Sequence, residues 1–453
     1  MRTLLFCVGC TLPLIASSDM YRHEDLGVFA RLAIVDYAAI VTLAVVILEK
    51  RIRPTVPVVL YGGALVLSLF LARLAAREEG TSAEDAWIAF GTLALALGYY
   101  FVGHAAAQRP SLARALLAGI AVGVCFESVV VLHDYFASSQ WFPDARAGRV
   151  RGTFRASGQL GAYAFSSAGI LLTLAPAWFR RNRARIAFVV AGAMAVFFVF
   201  AASRRSAIFA LAAWLGIFLV LGARRVGSKA YVAALGTAVL ACLALGTLRD
   251  RLSDTFFWNR VVGAVHTIQD DDNFIAHQAR YMADRADEWF PFGMGVGRGL
   301  TPFFNGEIYE IHNGHLAIVV ELGVLGFVAF YLMVLLPVFG KWGPHPATRR
   351  IRPLVAAFLF AAMLFMIHNR LQRDRGFMLF LGMATVLSAA GVAPDPKGAS
   401  LPCARPATRG TGRVAWRAPP RRAPARFPQH VSRPTPTAQG ANHAALGVRH
   451  QRR

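Results

Sequence analysis

The sequence predicts an all-α polytopic membrane protein of about twelve transmembrane helices, with a long periplasmic loop before the tenth. Three observations predict it. Of the 453 residues 56% are hydrophobic and only 16% charged, giving a mean hydropathy of +0.47. The apolar residues gather in blocks of roughly 17–25, the length that crosses ~30 Å of hydrocarbon. The period-two alternation of a membrane β-barrel is absent, and in lipid only helices and closed barrels satisfy every backbone polar group, so the spans are helices.

The spans are expected near 4–18, 30–48, 55–75, 86–107, 113–132, 159–178, 186–202, 206–222, 230–248, 313–338, 353–369 and 376–394. Orientation follows from the cations. The formal charge of +23 would suggest nucleic acid in a soluble protein, but here the Lys and Arg cluster in short loops, EKRIRP (49–54), FRRNRAR (179–185), GARRVGSK (222–229) and ATRRIR (347–352). That is the positive-inside pattern, and it places the N-terminus and these loops in the cytoplasm. No nucleic-acid partner is implied; membrane lipids are. The first apolar run, MRTLLFCVGCTLPLIASS, is expected to be an uncleaved span. Its Cys7-x-x-Cys10 has no Cys or His partners nearby, and the five cysteines form no disulfide framework.

Two regions follow, a membrane domain at 1–394 and a tail at 395–453. The tail holds nine prolines and twelve Arg or Lys with few large apolar residues, so it is expected to be disordered. It either touches anionic headgroups on the cytoplasmic face or has no role. Periplasmic segments are expected near 133–158 and 249–312. The second is too long to be a mere connector and should carry its own structure. Within it, Asp270-Asp271-Asp272-Asn273 precedes IAHQARYMADRADEW, which reads as one helix with acids at its positive end. A divalent-metal site at the three aspartates is the alternative.

Cations that break the positive-inside rule need another cause. On the outer side lie Arg146, Arg149, Arg151 and Arg155, then Arg204-Arg205 in a tight turn. Arg280, Arg285 and Arg298 follow in the long loop, and Arg370, Arg373 and Arg375 in the last outer turn. Guanidinium is permanently charged, and its planar fork matches phosphate. Outward-facing arginines at a membrane surface therefore suit a lipid-linked phosphate or diphosphate; headgroup contacts and ion pairs to Asp284, Asp287 and Glu288 are the plainer reading. His312-Asn313 stands where this loop enters the tenth span, and a neutral imidazole there can take a proton from a sugar hydroxyl. Asn313 would orient the ring or bind the acceptor. Glu321 lies inside the span, as Asp36 and Glu127 do in theirs, and an ionisable residue at that depth is a site candidate.

These pieces resemble the O-antigen ligase and polysaccharide polymerase family of bacterial inner-membrane proteins. HNGHLAIVVELGVLGFVAF is similar to the family's His-Asn, a gap, then an acid before a Gly-x-x-Gly helix. AASRRSAIFALAAWLG resembles its Ser-Arg-Gly stretch, with Arg205 where Gly is usual. RGTFRASGQLGAYAF resembles its Arg/Gly-Thr-Phe loop, with Gly158-Gln159 in place of an Asn. Arg280-Tyr281-Met282-Ala283 through FGMGVGRG (292–299) resembles its arginine helix and Gly-x-Gly turn.

The matches cover about residues 150–330. The resemblance implies a metal-independent glycosyltransferase, without cofactor, of the bacterial inner membrane and with its active site facing the periplasm. An undecaprenyl-diphosphate-linked glycan would be the donor and lipid A core or another glycan the acceptor, in lipopolysaccharide or exopolysaccharide biosynthesis. By motif, His312 would be the general base, and Arg280 and Arg204 would hold the diphosphate. Arg205, Arg151, Arg155, Asn313 and Glu321 would complete the substrate site. The alternative is a transporter or flippase of a lipid-linked or anionic solute, which should carry its charges along a path near the midplane.

Overall fold

The computed structural model describes residues 1–14, 34–49, 54–78, 84–137, 139–142, 149–154, 156–179, 182–202, 204–225, 236, 274–302, 308–342 and 346–389. Nearly all of the span expected at 230–248, residues 249–273 with the three aspartates, Arg155 and the 395–453 tail lie outside the described residues, as does the side chain of Arg205.

In chain order the helices are α1 (Arg2–Thr11), α2 (Ile34–Leu48), α3 (Val56–Glu78), α4 (Glu84–Ala107), α5 (Pro110–Phe136), α6 (Ser157–Ala168), α7 (Asn182–Ala201) and α8 (Arg205–Arg225). A π turn, Gly169–Leu174, and a 3-10 turn, Ala175–Ala177, prolong α6. The loop elements are α9 (Phe274–Asp284), α10 (Ala286–Trp289) and an antiparallel ribbon of β1 (Leu300–Pro302) and β2 (Ile308–Glu310), with Leu300 opposite Glu310. Then come α11 (Gly314–Phe339), α12 (Pro346–Phe365) and α13 (Arg375–Ala389). Helices thus stand at eleven of the expected span positions. Among the described residues, six are long and apolar enough to cross a membrane: Val56–Ala76, Ala86–Ala107, Pro110–Phe136, Ser157–Ala177, Ala184–Ala201 and Gly314–Phe339.

This is a membrane-embedded helical protein. Its helices bury small and aromatic residues between them: Phe165 of α6 stacks on Phe358 of α12 with ring centroids 4.9 Å apart, and Trp214 of α8 meets Phe358 edge-on at 5.4 Å. Large apolar side chains point the other way, with Phe70 61%, Val129 61% and Phe339 72% exposed. In water such a surface would be an aggregation patch; against lipid tails it is the matching one. Without a hydrophobic drive between helices, close backbone approach does the packing. A Cβ on Gly382 of α13 would stand 2.0 Å from the Tyr100 carbonyl oxygen of α4, so only glycine permits that crossing.

The segment read as a single helix over 275–289 is two. The chain leaves the α region at Arg285 (φ −113°, ψ 30°) between α9 and α10. There the Arg285 guanidinium pairs with Glu288 at 2.5 Å through Nε, a second contact joins Nη2 to the same carboxylate, and Nη1 donates to the Tyr281 hydroxyl.

A second departure from regularity sits inside the bundle. α11 breaks at Gly323 (φ 70°, ψ −175°), a conformation open essentially to glycine alone. A break at membrane depth frees backbone groups that need partners. The Gly-rich turn after α10 supplies them: Met294 N–H donates to the Val320 carbonyl at 2.7 Å, and Val324 N–H donates to the Pro291 carbonyl at 2.8 Å. From α3, the Ser68 hydroxyl donates to the Glu321 carbonyl at 2.6 Å. The turn fits because Gly293 (φ 87°) and Gly323 have no side chains; a Cβ on either would approach the other segment's backbone to 2.6 or 2.4 Å.

Gly323→Val should therefore lower the stability of the purified protein by about 1–3 kcal/mol from backbone strain alone, with more from the clash against Phe292. Thermal unfolding in detergent, followed by tryptophan fluorescence, measures it. A melting temperature equal to that of the parent would contradict the break.

Candidate functional site

The break places a carboxylate. Glu321, 2% exposed, sits two residues before Gly323, packed beside Gly299 of the turn. A charge at that depth demands a partner. Two descend to it from the turn between α12 and α13. Arg370 Nη1 lies 3.1 Å from Glu321 Oε1, and Arg373 Nη2 lies 3.4 Å from Oε2. The same guanidiniums meet a second acid at the surface, Glu310 at the end of β2: Arg373 Nη1 is 3.1 Å and Arg370 Nη1 3.6 Å from Glu310 Oε2. Arg370 Nε also donates to the Ile311 carbonyl at 2.5 Å. Two cations and two anions thus form one array joining α11, the ribbon and the last turn.

His312 stands on the rim of this array, and its side chain is exposed. Its backbone is held by Gln278 of α9, a fully buried side chain. Gln278 Oε1 accepts from His312 N–H at 2.9 Å, and Nε2 donates to the Glu310 carbonyl at 3.0 Å. The imidazole Nδ1 is 2.8 Å from that same carbonyl. A carbonyl only accepts, so Nδ1 carries the proton, and in the neutral ring Nε2 is the acceptor nitrogen. In that tautomer Nε2 is the nitrogen that can take up a proton.

Asn313 caps the helix that follows. Its Oδ1 accepts from His315 N–H at 3.0 Å and Leu316 N–H at 3.1 Å, so it is the N-cap of α11. His315 is likewise structural: Nε2 donates to the Met363 carbonyl at 2.8 Å, and the Tyr331 hydroxyl donates to Nδ1.

Other sequence-nominated residues reach the same end of the bundle. Gly314 N–H donates to the Met366 carbonyl at 2.7 Å, and Asn369 Nδ2 donates to the Ser206 hydroxyl at 2.9 Å, so the starts of α8 and α11 meet at the α12–α13 turn. Arg204, just before α8, lays its guanidinium on the first turn of α6; a Cβ on Gly158 would stand 2.6 Å from its Nη2. Arg151 is half-buried in the loop before α6. That loop is tied to α5 through Glu127, whose Oε1 accepts from Thr153 N–H at 2.9 Å and whose Oε2 lies 2.8 Å from the Thr153 hydroxyl. Arg280 is exposed on α9, two residues after Gln278. The structure thus brings His312 and Glu321 into one array and places Arg204 and Arg151 among its neighbouring elements.

The sequence reading passed over Arg370 and Arg373 as members of the site. They stand among the outer arginines that break the charge rule, and Glu321, singled out as an ionisable residue at membrane depth, was the signal that could have claimed them. Arg375, by contrast, forms a bidentate pair with Asp36 of α2 at 2.6 Å through Nε and Nη2, and the Tyr99 hydroxyl donates to Asp36 at 3.1 Å. That arginine is structural.

No protein-family model matches the chain, and no curated protein is detectably similar to it in sequence.

Burial pushes the Glu310 carboxyl up, but Arg373 and Arg370 outweigh it and hold the group below the usual carboxylate range. A folded pKa below the unfolded one means the stabilisation is complete above the unfolded value of about 4.3 and disappears as pH falls through the folded value. The melting-temperature difference between the parent and Glu310→Gln should accordingly be constant from pH 7 to about pH 5 and close as pH drops below 4. A difference that persists unchanged at pH 3 would rule out the charge pairing as its source.

Proposed function

We propose that the protein is a metal-independent glycosyltransferase of the bacterial inner membrane. It transfers a glycan from an undecaprenyl diphosphate carrier to a hydroxyl of lipid A core or of another glycan, as an O-antigen ligase or polysaccharide polymerase. The twelve-span plan with its long loop on the periplasmic side belongs to this reading. The observation that carries it is His312: an exposed imidazole, fixed in the Nδ1–H tautomer, beside a buried arginine pair at the mouth of a membrane helix.

In this reading Nε2 of His312 takes the proton from the acceptor hydroxyl as its oxygen attacks the anomeric carbon. The new C–O bond forms, the bond from that carbon to the diphosphate oxygen breaks, and the electron pair leaves with the diphosphate. Charge grows on the leaving group, so fixed guanidiniums lower the barrier selectively. Arg280, exposed on the helix that holds His312, and Arg204, together with Arg205, Arg151 and Arg155, are the residues assigned to the carrier's diphosphate.

A transporter or flippase is favoured less. Its in-span charges should line a path, whereas Asp36, Glu127 and Glu321 are each held by a protein partner. The test is genetic and chemical. In a strain lacking the native gene, His312→Ala should reduce long-chain surface polysaccharide by about 10²-fold or more, the scale of a lost general base. Arg280→Lys keeps charge but loses the fork and should cost about tenfold. Unchanged polysaccharide with His312→Ala protein at normal abundance would sink the catalytic assignment. Glycan accumulating on the carrier lipid marks a ligase, and single repeats on the acceptor mark a polymerase.

A further inference from the structure

The arginine pair at Glu321 has more donors than its two carboxylates use. Arg370 Nη2 and Arg373 Nε are buried without a hydrogen-bond partner among the described residues, as is the Tyr61 hydroxyl of α3. The Arg370 side chain is 9% exposed, so these are donors withdrawn from solvent. Burying a charged N–H without an acceptor is costly. Such donors persist where an incoming group completes them.

The two carboxylates are also unequal. Glu321 is 3% exposed at the side chain and closes the array from below. Glu310 is 56% exposed, and a single oxygen serves both cations, at 3.1 Å and at 3.6 Å, the latter beyond hydrogen-bond length. One acid is buried with the cations; the other meets them from the solvent side.

We propose that Arg370 and Arg373 form a binding site for a phosphate-type oxyanion, a phosphate or diphosphate group, and that the Glu310 carboxylate occupies it until the ligand displaces it. The displacement needs only a side-chain rotation. The Glu310 backbone is pinned by Gln278 and by the bond from His312 Nδ1, so the carboxylate can turn to solvent while the imidazole stays anchored. With Glu310 withdrawn, two guanidiniums face one carboxylate, and the surplus positive charge meets the oxyanion. Arginine's planar fork presents paired donors to it, and the unused Nη2 and Nε supply further ones. The inference deepens the proposed function, on which it rests for its biological ligand, by placing a phosphate-type group beside His312.

The experiment measures binding rather than turnover. The purified full chain in detergent is titrated with inorganic pyrophosphate by calorimetry. In parallel, neutral-lipid nanodiscs containing it are doped with a polyprenyl diphosphate. Glu310→Gln should bind tighter than the parent by about tenfold or more, since it removes the competing charge; Arg373→Gln should bind weaker than the parent. Glu310→Asp, one methylene shorter, should fall between parent and Glu310→Gln, and it stands in should the glutamine variant misfold. Tightening in both arms supports a site for the shared headgroup. Tightening with pyrophosphate alone supports a free anion, and with the lipid alone a carrier-linked one. Equal affinity of parent, Glu310→Gln and Glu310→Asp in both arms overturns the proposal. Tightening in Glu310→Gln together with unchanged polysaccharide in His312→Ala would refute glycosyl transfer and leave this site standing.

Discussion

A carboxylate two residues before a helix break, deep in a membrane protein, is the constraint around which one end of this molecule is arranged. Glu321 cannot remain ionised there unpaired, and its pairing draws Arg370 and Arg373 inward from the α12–α13 turn. Arg370, once drawn in, reaches the Ile311 carbonyl and so fixes the chain immediately before His312. The break at Gly323 is the other half of the same arrangement. It admits the Gly-rich turn, whose backbone satisfies Val320 and Val324, and that turn leads through Gly299 into the ribbon that ends at Glu310. The chain before an exposed imidazole is thus anchored, through the Ile311 carbonyl, by a buried ion pair about two helix turns into α11.

The other in-span acids are handled by the same physics. Asp36 is fully buried and takes a bidentate arginine from a helix 339 residues away. Glu127, also fully buried, is held by the amide and hydroxyl of Thr153. Each acid therefore anchors a remote segment: the last helix to α2, the Arg151 loop to α5, the last turn to α11. This accounts for part of the outer arginine surplus without any ligand. Arg375 is consumed by Asp36, and Arg370 and Arg373 give part of their donors to glutamates.

Hydropathy made the helices legible, because crossing lipid imposes length and composition on each span separately. Glu321 was legible as a site candidate for the same reason. Its partners were not, since pairing across 49 or 52 residues is a property of tertiary packing that no local pattern records. Asn313 carried a cap signal, a polar residue directly before an apolar periodic run, and it is the N-cap of α11. Gly323 was opaque: a lone glycine in an apolar run is tolerated in a continuous helix at about 1 kcal/mol, and only the inserted turn reveals the break. The residues FGMGVGRG did announce an irregular turn, though not that it would complete another helix's hydrogen bonds.

In the proposed group transfer, the division between buried cations and an exposed base follows from what each would do. A cation that stabilises a leaving diphosphate acts on charge developing in the transition state, and a low-dielectric, preorganised setting strengthens it. Arg370 and Arg373 are in that setting, with their orientation fixed by Glu321 rather than by water. A general base has to give up the proton it collects before the next cycle, and it does so most readily to solvent. His312 is on the wet side, held through its backbone and Nδ1 so that exposure does not cost it orientation. Glu310 lies between the two and touches both, its carboxylate on the arginines and its carbonyl on the imidazole. Under the proposed displacement, that position would let one residue balance the cations in the resting protein without disturbing the imidazole when an oxyanion takes its place.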